Sequence, residues 1–246
     1  MDNVNHIPSA NQNQISQMKF PTLTPAFFIK RDNRFTASVR LEGGTLAAAY
    51  VPTTGRLTGA LRPGCRVWLE PVDNPKRRTA YTLLLTELDQ GGLCSVNAIT
   101  ANRLFHKAVT RQQLAAFSYN KIEKEVSHGR SRLDFRLSQN GNICWVEVKS
   151  VTFVEGGVGM FPDAPTARGR RHLETLAKLA ASGDRACAVF IAQRPDAARF
   201  APHQAIDPAF AETLRRVHQA GVEVHAYGCE VSLQQINISA EIPIEI

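Results

Sequence analysis

Residues 132–150 read RLDFRLSQNGNICWVEVKS, and their pattern is the clearest indication of the fold of the second half of the chain. Apolar and polar residues alternate on both sides of the Asn140–Gly141 pair, which is typical of a tight turn between two antiparallel strands. Because successive side chains in a strand point to opposite faces, the pattern predicts a hairpin with Asp134 and Glu147 as neighbours on one polar face. Lys149 is predicted one step further along that face.

These three side chains suit the hydrolysis of a phosphodiester. Two adjacent carboxylates repel each other unless a cation neutralises them, and Mg²⁺ or Mn²⁺ prefers such oxygen ligands. A neighbouring lysine can orient a water molecule or stabilise the charge that develops on a phosphate. The sequence therefore predicts Asp134, Glu147 and Lys149 as catalytic residues and the two acids as ligands of Mg²⁺ or Mn²⁺. The alternative is that they are ordinary charges on a solvated strand face.

The rest of the second half alternates between helical and strand patterns. The predicted order is αβββαβαβ, with helices at 106–117, 167–183 and 208–221 and strands at 122–129, 132–138, 144–150, 185–193 and 222–228. This order predicts a mixed sheet with helices on both faces. The pattern changes near Asn102, so the second domain is predicted to cover residues 102–246.

The first half has a different rhythm. Five apolar or alternating runs of strand length, separated by turn residues, predict a small β-barrel or sandwich over residues 19–101. The net charge of the chain is +7, and residues 19–105 contain twelve Lys or Arg against six Asp or Glu. A basic first domain indicates a polyanionic partner, although many basic proteins bind no nucleic acid. Residues 1–18 are rich in Asn, Gln and Ser and are predicted to be a disordered tail.

Several separate motifs resemble those of the SfsA family, the sugar fermentation stimulation proteins. The matching stretches are GxSRxDF at 129–135, EVKSVT at 147–152, FPDAxTxRGxxHL at 161–173, TGRL at 54–57, RPG at 62–64 and YTL at 81–83. They occur in the order that the family shows, and together they extend the resemblance over most of the chain.

The resemblance implies an α+β protein of two domains. It implies an N-terminal OB-fold-like β-barrel and a C-terminal restriction-endonuclease-like αβββαβ domain of the PD-(D/E)xK kind. It also implies DNA binding and a connection with sugar metabolism genes. We therefore expect a DNA-binding protein with a metal-dependent nuclease site. The alternatives are a non-catalytic DNA-binding regulator that retains a nuclease-like scaffold and an enzyme that acts on RNA or a nucleotide, and single-stranded DNA is a further possible partner.

Further residues extend the predicted site. Glu125, on the strand before Asp134, is predicted to complete the metal shell or, alternatively, to edge a solvated strand. Arg168 and His172 are four residues apart and share one helix face. Together with the free N–H groups at the helix start they are predicted to bind phosphate, the alternative being a solvated basic face. Asp163 is expected to have a structural role.

The nucleic-acid contacts are predicted mainly on the barrel. Basic residues are expected to contact phosphates and Tyr81 to stack on a base, whereas Phe35 is expected in the core. The predicted contacts are Lys30, Arg31, Arg34, Arg56, Lys76, Arg77, Arg78, Tyr81, Arg168 and His172. The run at 76–78 is the densest patch because a turn presents three charges together, but such a run is equally typical of a solvated turn.

Composition excludes several classes of protein. No apolar run reaches the roughly 18 residues that a membrane-spanning helix needs, and the first residues lack the pattern of a secretory signal. The five cysteines form no CxxC pair, so a zinc site or a disulfide framework is not expected. We expect a cytoplasmic protein without a membrane partner, and the pattern indicates no particular oligomeric state.

Overall fold

A computed structural model describes residues 15–246, which form two domains built on β-sheets. The first strand, β1 (Ile15–Lys19), belongs to the sheet of the second domain. The strands of the first domain are β2 (Thr24–Asn33), β3 (Thr36–Leu41), β4 (Leu46–Tyr50), β5 (Arg66–Pro71), β6 (Tyr81–Glu87) and β7 (Leu93–Ser95).

The first domain is a closed barrel. Its strands follow the order β4-β3-β2-β5-β6-β7, and β4 also pairs in parallel with β6 through Ala49 and Tyr81. This pairing closes five strands into a barrel and confirms the OB-fold-like domain. The interior positions alternate with exposed ones, as the pleat of a strand requires, and fully buried side chains such as Val39 and Leu69 fill the centre. Each such burial stabilises the fold by roughly 1.5–3 kcal/mol.

The second domain has a seven-stranded mixed sheet. Its elements are α1 (Ala98–Thr110), β8 (Lys121–His128), β9 (Ser131–Gln139), β10 (Asn142–Val151), β11 (Phe153–Glu155), β12 (Val158–Phe161), α2 (Ala167–Ala181), β13 (Arg185–Ala192), β14 (Arg199–Pro202), α3 (Pro208–Gln219), β15 (Glu223–Val231) and β16 (Gln235–Glu241). The sheet order is β1-β16-β15-β13-β10-β9-β8, with β13 parallel to both β10 and β15.

Helices cover both faces of this sheet, as predicted. Buried residues of α1, among them Leu104 and Phe105, pack on one face. Buried residues of α2 and α3, among them Leu176 and Leu214, pack on the other. The three strands β11, β12 and β14, which the sequence did not predict, form a separate small sheet. Within residues 15–246, no helix is long and apolar enough to cross a membrane.

The predicted tail is wrong for its last four residues. Residues 15–18 are part of β1, which pairs antiparallel with β16 through contacts such as Met18 with Ile236. Strand pairing satisfies backbone N–H and C=O groups whatever the side chains are, and β16 offers a free edge to it. A polar composition therefore does not prevent pairing. Residues 1–14 of the predicted tail lie outside the described residues.

The first helix of the second domain begins earlier than predicted. It starts at Ala98, before both the predicted boundary near Asn102 and the helical run predicted at 106–117, because the side chain of Asn97 accepts a hydrogen bond from Ile99 N–H and caps the helix start. It ends at Thr110, shortly before Gln112 adopts a left-handed backbone with φ of 55°. The remainder of the predicted helix contains only a short 3-10 turn at Ala115–Phe117.

The predicted hairpin around Asn140–Gly141 is confirmed. Asn140 and Gly141 both have positive φ, at 51° and 84°, and β9 and β10 pair from Asn142–Gln139 to Val146–Phe135. One side chain does not follow the predicted alternation. Alternation would place Leu133 on the same face of the sheet as Phe135, but Leu133 packs on the other face, beneath α2. Next to this position, Glu125 of the neighbouring strand β8 has a left-handed backbone with φ of 53°.

Candidate active site

The predicted acids lie on neighbouring antiparallel strands, at the point where these strands cease to pair. The last pair of the β9–β10 ladder is Phe135 with Val146. One residue beyond it, Asp134 Oδ2 accepts a hydrogen bond from Val148 N–H at 2.8 Å, and Asp134 Oδ1 accepts one from Asn102 Nδ2 at 2.8 Å. The side chain thus takes up a backbone N–H that the ending ladder leaves free. Asn102 of α1 was not predicted as part of the site.

Glu147 is held from two sides. It is 3% exposed, and its Oε1 accepts hydrogen bonds from Lys149 Nζ and from His172 Nδ1. Its second oxygen, Oε2, is buried without a hydrogen-bond partner among the described residues. One carboxylate oxygen is therefore fixed by the protein, and the other is left open.

Burial and mutual repulsion make the site electrostatically strained. Burial and, to a smaller extent, the negative charge of Glu147 raise the pKa of Asp134 to about 6, although the ammonium of Lys149 opposes both effects. Burial also acts to raise the pKa of Glu147. Lys149 and His172 outweigh that effect, so the pKa of Glu147 lies below its usual value. The site therefore holds one firmly ionised acid next to one that ionises reluctantly.

The acids and Lys149 open into a cleft of about 520 Å³ between the two domains, which we call the interdomain cleft. Asp134, Glu147 and Lys149 lie on the side of the second domain. The barrel contributes Arg34 and the loop at 53–55. The start of α2 contributes further lining residues, namely Thr166, Arg168 and Gly169.

Asp163 joins the barrel to this cleft. Its Oδ2 accepts a hydrogen bond from Leu57 N–H at 2.9 Å, which is a structural role of the kind expected from the sequence. Gly55 lies so near that a Cβ atom there would stand 2.5 Å from Asp163 Oδ2, so a larger residue would displace the Asp163 carboxylate. Arg31 Nη1 donates to Gly55 O at 2.8 Å. The guanidinium of Arg31 therefore supports the loop rather than pointing freely toward a ligand.

The two helix residues have different positions. Arg168 is exposed in the interdomain cleft, and its Nε lies 3.4 Å from His172 Nε2, so the two share one helix face as predicted. His172 itself is only 3% exposed. Its contact with nucleic acid stays a prediction, and in this structure its buried ring holds Glu147.

Glu125 is not brought to the other two acids. Its side chain is 67% exposed and lies 3.6 Å from Arg132 Nη1. It borders a separate cavity on the far side of Asp134 instead of the interdomain cleft. The two acids that remain together are Asp134 and Glu147.

Some of the barrel residues that are predicted to contact nucleic acid are exposed, and others contact other residues of the protein. Lys30, Arg34, Arg56, Lys76 and Arg78 are exposed, although Lys30 lies 3.7 Å from Asp32. Tyr81 packs against the barrel core, so little of its ring is left for stacking on a base.

An exposed aromatic pair lies on the same barrel. Phe35 is 43% exposed, so its predicted place in the core is wrong. Its ring stacks on that of Tyr50 with centroids 6.4 Å apart, and the guanidinium of Arg77 lies 5.5 Å from the Tyr50 ring. Tyr50 was missed because a single aromatic at a strand end carries no pattern. Phe35 follows Arg34, which lines the interdomain cleft.

A second group of possible ligands lies elsewhere in the sheet. Ligand atoms of Cys187, Glu223 and His225 all lie within 4.8 Å of one another. Arg185, however, donates to both carboxylate oxygens of Glu223, at 2.6 and 2.5 Å, and this permanent cation neutralises the acid that a metal would need. The group is therefore better described as an ion-pair network than as a metal centre.

Comparison with known proteins matches this architecture. The family model described as sugar fermentation stimulation protein RE domain matches residues 99–235, and the SfsA N-terminal OB domain matches residues 29–96. A sugar fermentation stimulation protein homolog from Desulforamulus reducens is 38% identical over 94% of this chain and 95% of its own length. A homolog of the same name from Moorella thermoacetica is 43% identical over 91% of this chain and 97% of its own length.

A solved structure is similar over nearly the whole chain. It is described as Pyrococcus furiosus SfsA in complex with Ca²⁺, has a TM-score of 0.87 and 33% identity, and the match covers 95% of this chain and 99% of that one. Both family models, the long alignments and this shared fold agree with one another. The chain therefore belongs to the SfsA family of sugar fermentation stimulation proteins.

Proposed function

We propose that this protein is a metal-dependent nuclease that binds nucleic acid in the interdomain cleft and hydrolyses a phosphodiester there. The observation that carries the proposal is the carboxylate of Glu147, which is buried with Oε2 lacking a hydrogen-bond partner among the described residues. A buried, unpartnered oxygen of a charged group is costly. A divalent cation that takes this oxygen as a ligand removes the cost.

The residues present fit Mg²⁺ or Mn²⁺. Asp134 and Glu147 offer carboxylate oxygens, which these hard cations prefer, and a cation between them would offset the repulsion that raises the pKa of Asp134. When bound, such an ion supplies a water molecule of lowered pKa and neutralises charge on the phosphate. The Ca²⁺ in the description of the Pyrococcus furiosus relative is an ion of the same ligand preference.

The protein's own side chains orient and stabilise. Lys149 Nζ, hydrogen-bonded to Glu147 and facing the interdomain cleft, can donate to the attacking water or to a phosphate oxygen as negative charge grows. His172 fixes the orientation of Glu147 from beneath. Arg168, exposed at the start of α2, lines the same cleft and suits a phosphate, whereas the N–H groups of Thr166 and Gly169 already donate to Asp207 and Thr166.

The barrel supports binding to nucleic acid with unpaired bases. Phe35 and Tyr50 form an exposed stack with Arg77 against it, and aromatic side chains on OB-like barrels suit base stacking.

Glu125 could complete the metal shell only from the far side of Asp134. DNA is the proposed substrate, with single-stranded DNA or RNA as the other candidates. A cytoplasmic location fits the five free cysteines.

A non-catalytic DNA-binding regulator of sugar metabolism genes is the second candidate. The name of the relatives, which refers to stimulation of sugar fermentation, favours it. The two candidate functions differ in whether Lys149 and Glu147 Oε2 take part in a reaction.

The test compares cleavage with binding. Parent, Glu147→Gln and Lys149→Ala are incubated with single-stranded, duplex and branched DNA and with RNA, in Mg²⁺, Mn²⁺ or chelator. We expect both variants to lose cleavage and to keep most of their binding, because phosphate contacts supply most non-specific affinity. Lys149→Ala should still bind Mn²⁺ in calorimetry, since lysine is no ligand.

Glu212→Gln, on the exposed face of α3, is the matched control. Binding by the parent without cleavage of any substrate, and without Mn²⁺ uptake, would favour the regulator.

A further inference from the structure

A second cavity lies on the other side of Asp134. It has a volume of about 660 Å³ and runs between α1 and the edge strand β8; we call it the α1 groove. Ile99, Asn102 and Asp134 line both this groove and the interdomain cleft. The two cavities therefore meet at the carboxylate of Asp134, and a chain-like ligand that crosses the site in one continues into the other.

The rim of the α1 groove is positively charged. Arg103 and Arg111 of the α1 region and Lys124 of β8 line it and are exposed, and within residues 15–246 none of them takes part in an ion pair. Besides Asp134, Glu125 is the carboxylate on this rim, and Arg132 lies 3.6 Å from it. The three cations thus leave a net positive field over the groove, which attracts a polyanion.

The floor of the α1 groove is apolar and partly aromatic. The ring of His106 stacks on that of Phe135, with centroids 6.1 Å apart and planes 15° apart, and burial together with the charge of Lys124 lowers the pKa of His106, which favours the neutral ring. Ile99, at the junction with the interdomain cleft, is 55% exposed. A flat apolar floor between cations suits bases and phosphates together.

We propose that the α1 groove binds the continuation of a single-stranded nucleic acid beyond the scissile position. The inference rests on the proposed function of the interdomain cleft. Bases lie on the floor formed by Ile99 and His106, whose ring is backed by the buried Phe135, and phosphates follow the cations of the rim. The volume of the groove is in the range of small-molecule pockets, so it accommodates nucleotide units one after another rather than a double helix.

The test measures how affinity depends on salt. A fluorescein-labelled oligothymidylate is titrated in chelator, so that nothing is cleaved, against the parent and against Arg103→Ala/Arg111→Ala/Lys124→Ala over a series of NaCl concentrations. Each phosphate contact on a single strand contributes about 0.7 to the slope of log K against log salt. We therefore expect the triple variant to bind about tenfold more weakly at moderate salt and its slope to be smaller by about 2.

Matched controls make the result specific. Lys178→Ala/Arg215→Ala/Arg216→Ala removes the same charge from exposed positions on α2 and α3 and should keep the parent's slope. Arg103→Lys/Arg111→Lys/Lys124→Arg keeps the charge and should retain the slope as well. Melting temperatures verify folding of each variant.

The possible failures are distinguishable. If both alanine triples bind alike while the parent still cleaves in Mn²⁺, the groove proposal is wrong and the proposed function stands. If a hairpin duplex loses as much affinity as the oligothymidylate, the groove does not select single strands and that part is overturned. If the parent binds no nucleic acid and cleaves none, the proposed function fails and the groove proposal fails with it.

Discussion

Replacing Asp134 by asparagine is expected to stabilise the protein in the absence of metal. At neutral pH the Asp134 carboxylate is ionised in a largely buried position beside Glu147. Asparagine has nearly the same shape. Its carbonyl oxygen can accept the hydrogen bond from Val148 N–H, and its amide can pair with Asn102 once that side chain turns over. The change therefore removes a buried charge and keeps both hydrogen bonds.

The magnitude follows from the pKa of Asp134, which is raised from 3.8 to about 6. One pKa unit corresponds to about 1.4 kcal/mol, so ionisation costs the folded state up to about 3 kcal/mol more than the unfolded state. Because the folded pKa is the higher one, the parent is unaffected below pH 3.8 and loses stability as the pH rises through 6. The advantage of Asp134→Asn should be close to zero in acid and approach ~3 kcal/mol at pH 7.

Urea unfolding followed by circular dichroism, at a series of pH values in chelator, measures this difference. Glu212→Gln controls for the loss of an exposed carboxylate. Addition of Mn²⁺ should reverse the order, because an ion that binds only the folded parent stabilises it by mass action. The reasoning is refuted if the two unfolding free energies stay parallel from pH 4 to pH 7, or if Asp134→Asn is the less stable protein at pH 7 without metal.

Three further changes test other parts of the structure. Gly55→Ala should lower the free energy of unfolding by roughly 1–3 kcal/mol, since its Cβ would push the Asp163 carboxylate away from Leu57 N–H, whereas Gly43→Ala, with nothing within 4 Å, should cost less than half of that in the same unfolding experiment. Phe35→Ala should weaken binding of single-stranded DNA by about 1–3 kcal/mol in an anisotropy titration; an unchanged affinity would remove the exposed stack from the binding surface. Arg185→Gln should reduce stability at neutral pH, because Arg185 lowers the pKa of Glu223 to about 2. That contribution is present above pH 4.5 and is lost as the pH falls toward 2, so the difference between the unfolding free energies of variant and parent should shrink in acid to the part that comes from the contacts of Arg185 with Ala116 and Phe117.

Local interactions account for what could be predicted from the sequence. The turn at Asn140–Gly141 needs two positive φ angles, which these residue types favour. The helix α2 has its apolar residues on one side and a threonine cap at Thr166. Asp134 and Glu147 become neighbours because a two-residue turn leaves one register for the strands around it. In each case the residues that determine the structure lie within about one hairpin or one helix of each other.

The site is completed by contacts between elements that lie far apart in the sequence. The Oε2 atom of Glu147 loses its hydrogen-bond partners because distant elements bury it, and β1 forms because β16, more than 200 residues away, offers an edge. His172 has the spacing of an exposed helix residue but packs beneath the cleft against Glu147. The barrel is joined to the second domain at the cleft by the hydrogen bond that Leu57 N–H donates to Asp163. Burial and long-range pairing depend on the packing of whole domains, which neither periodicity nor composition of a local segment encodes.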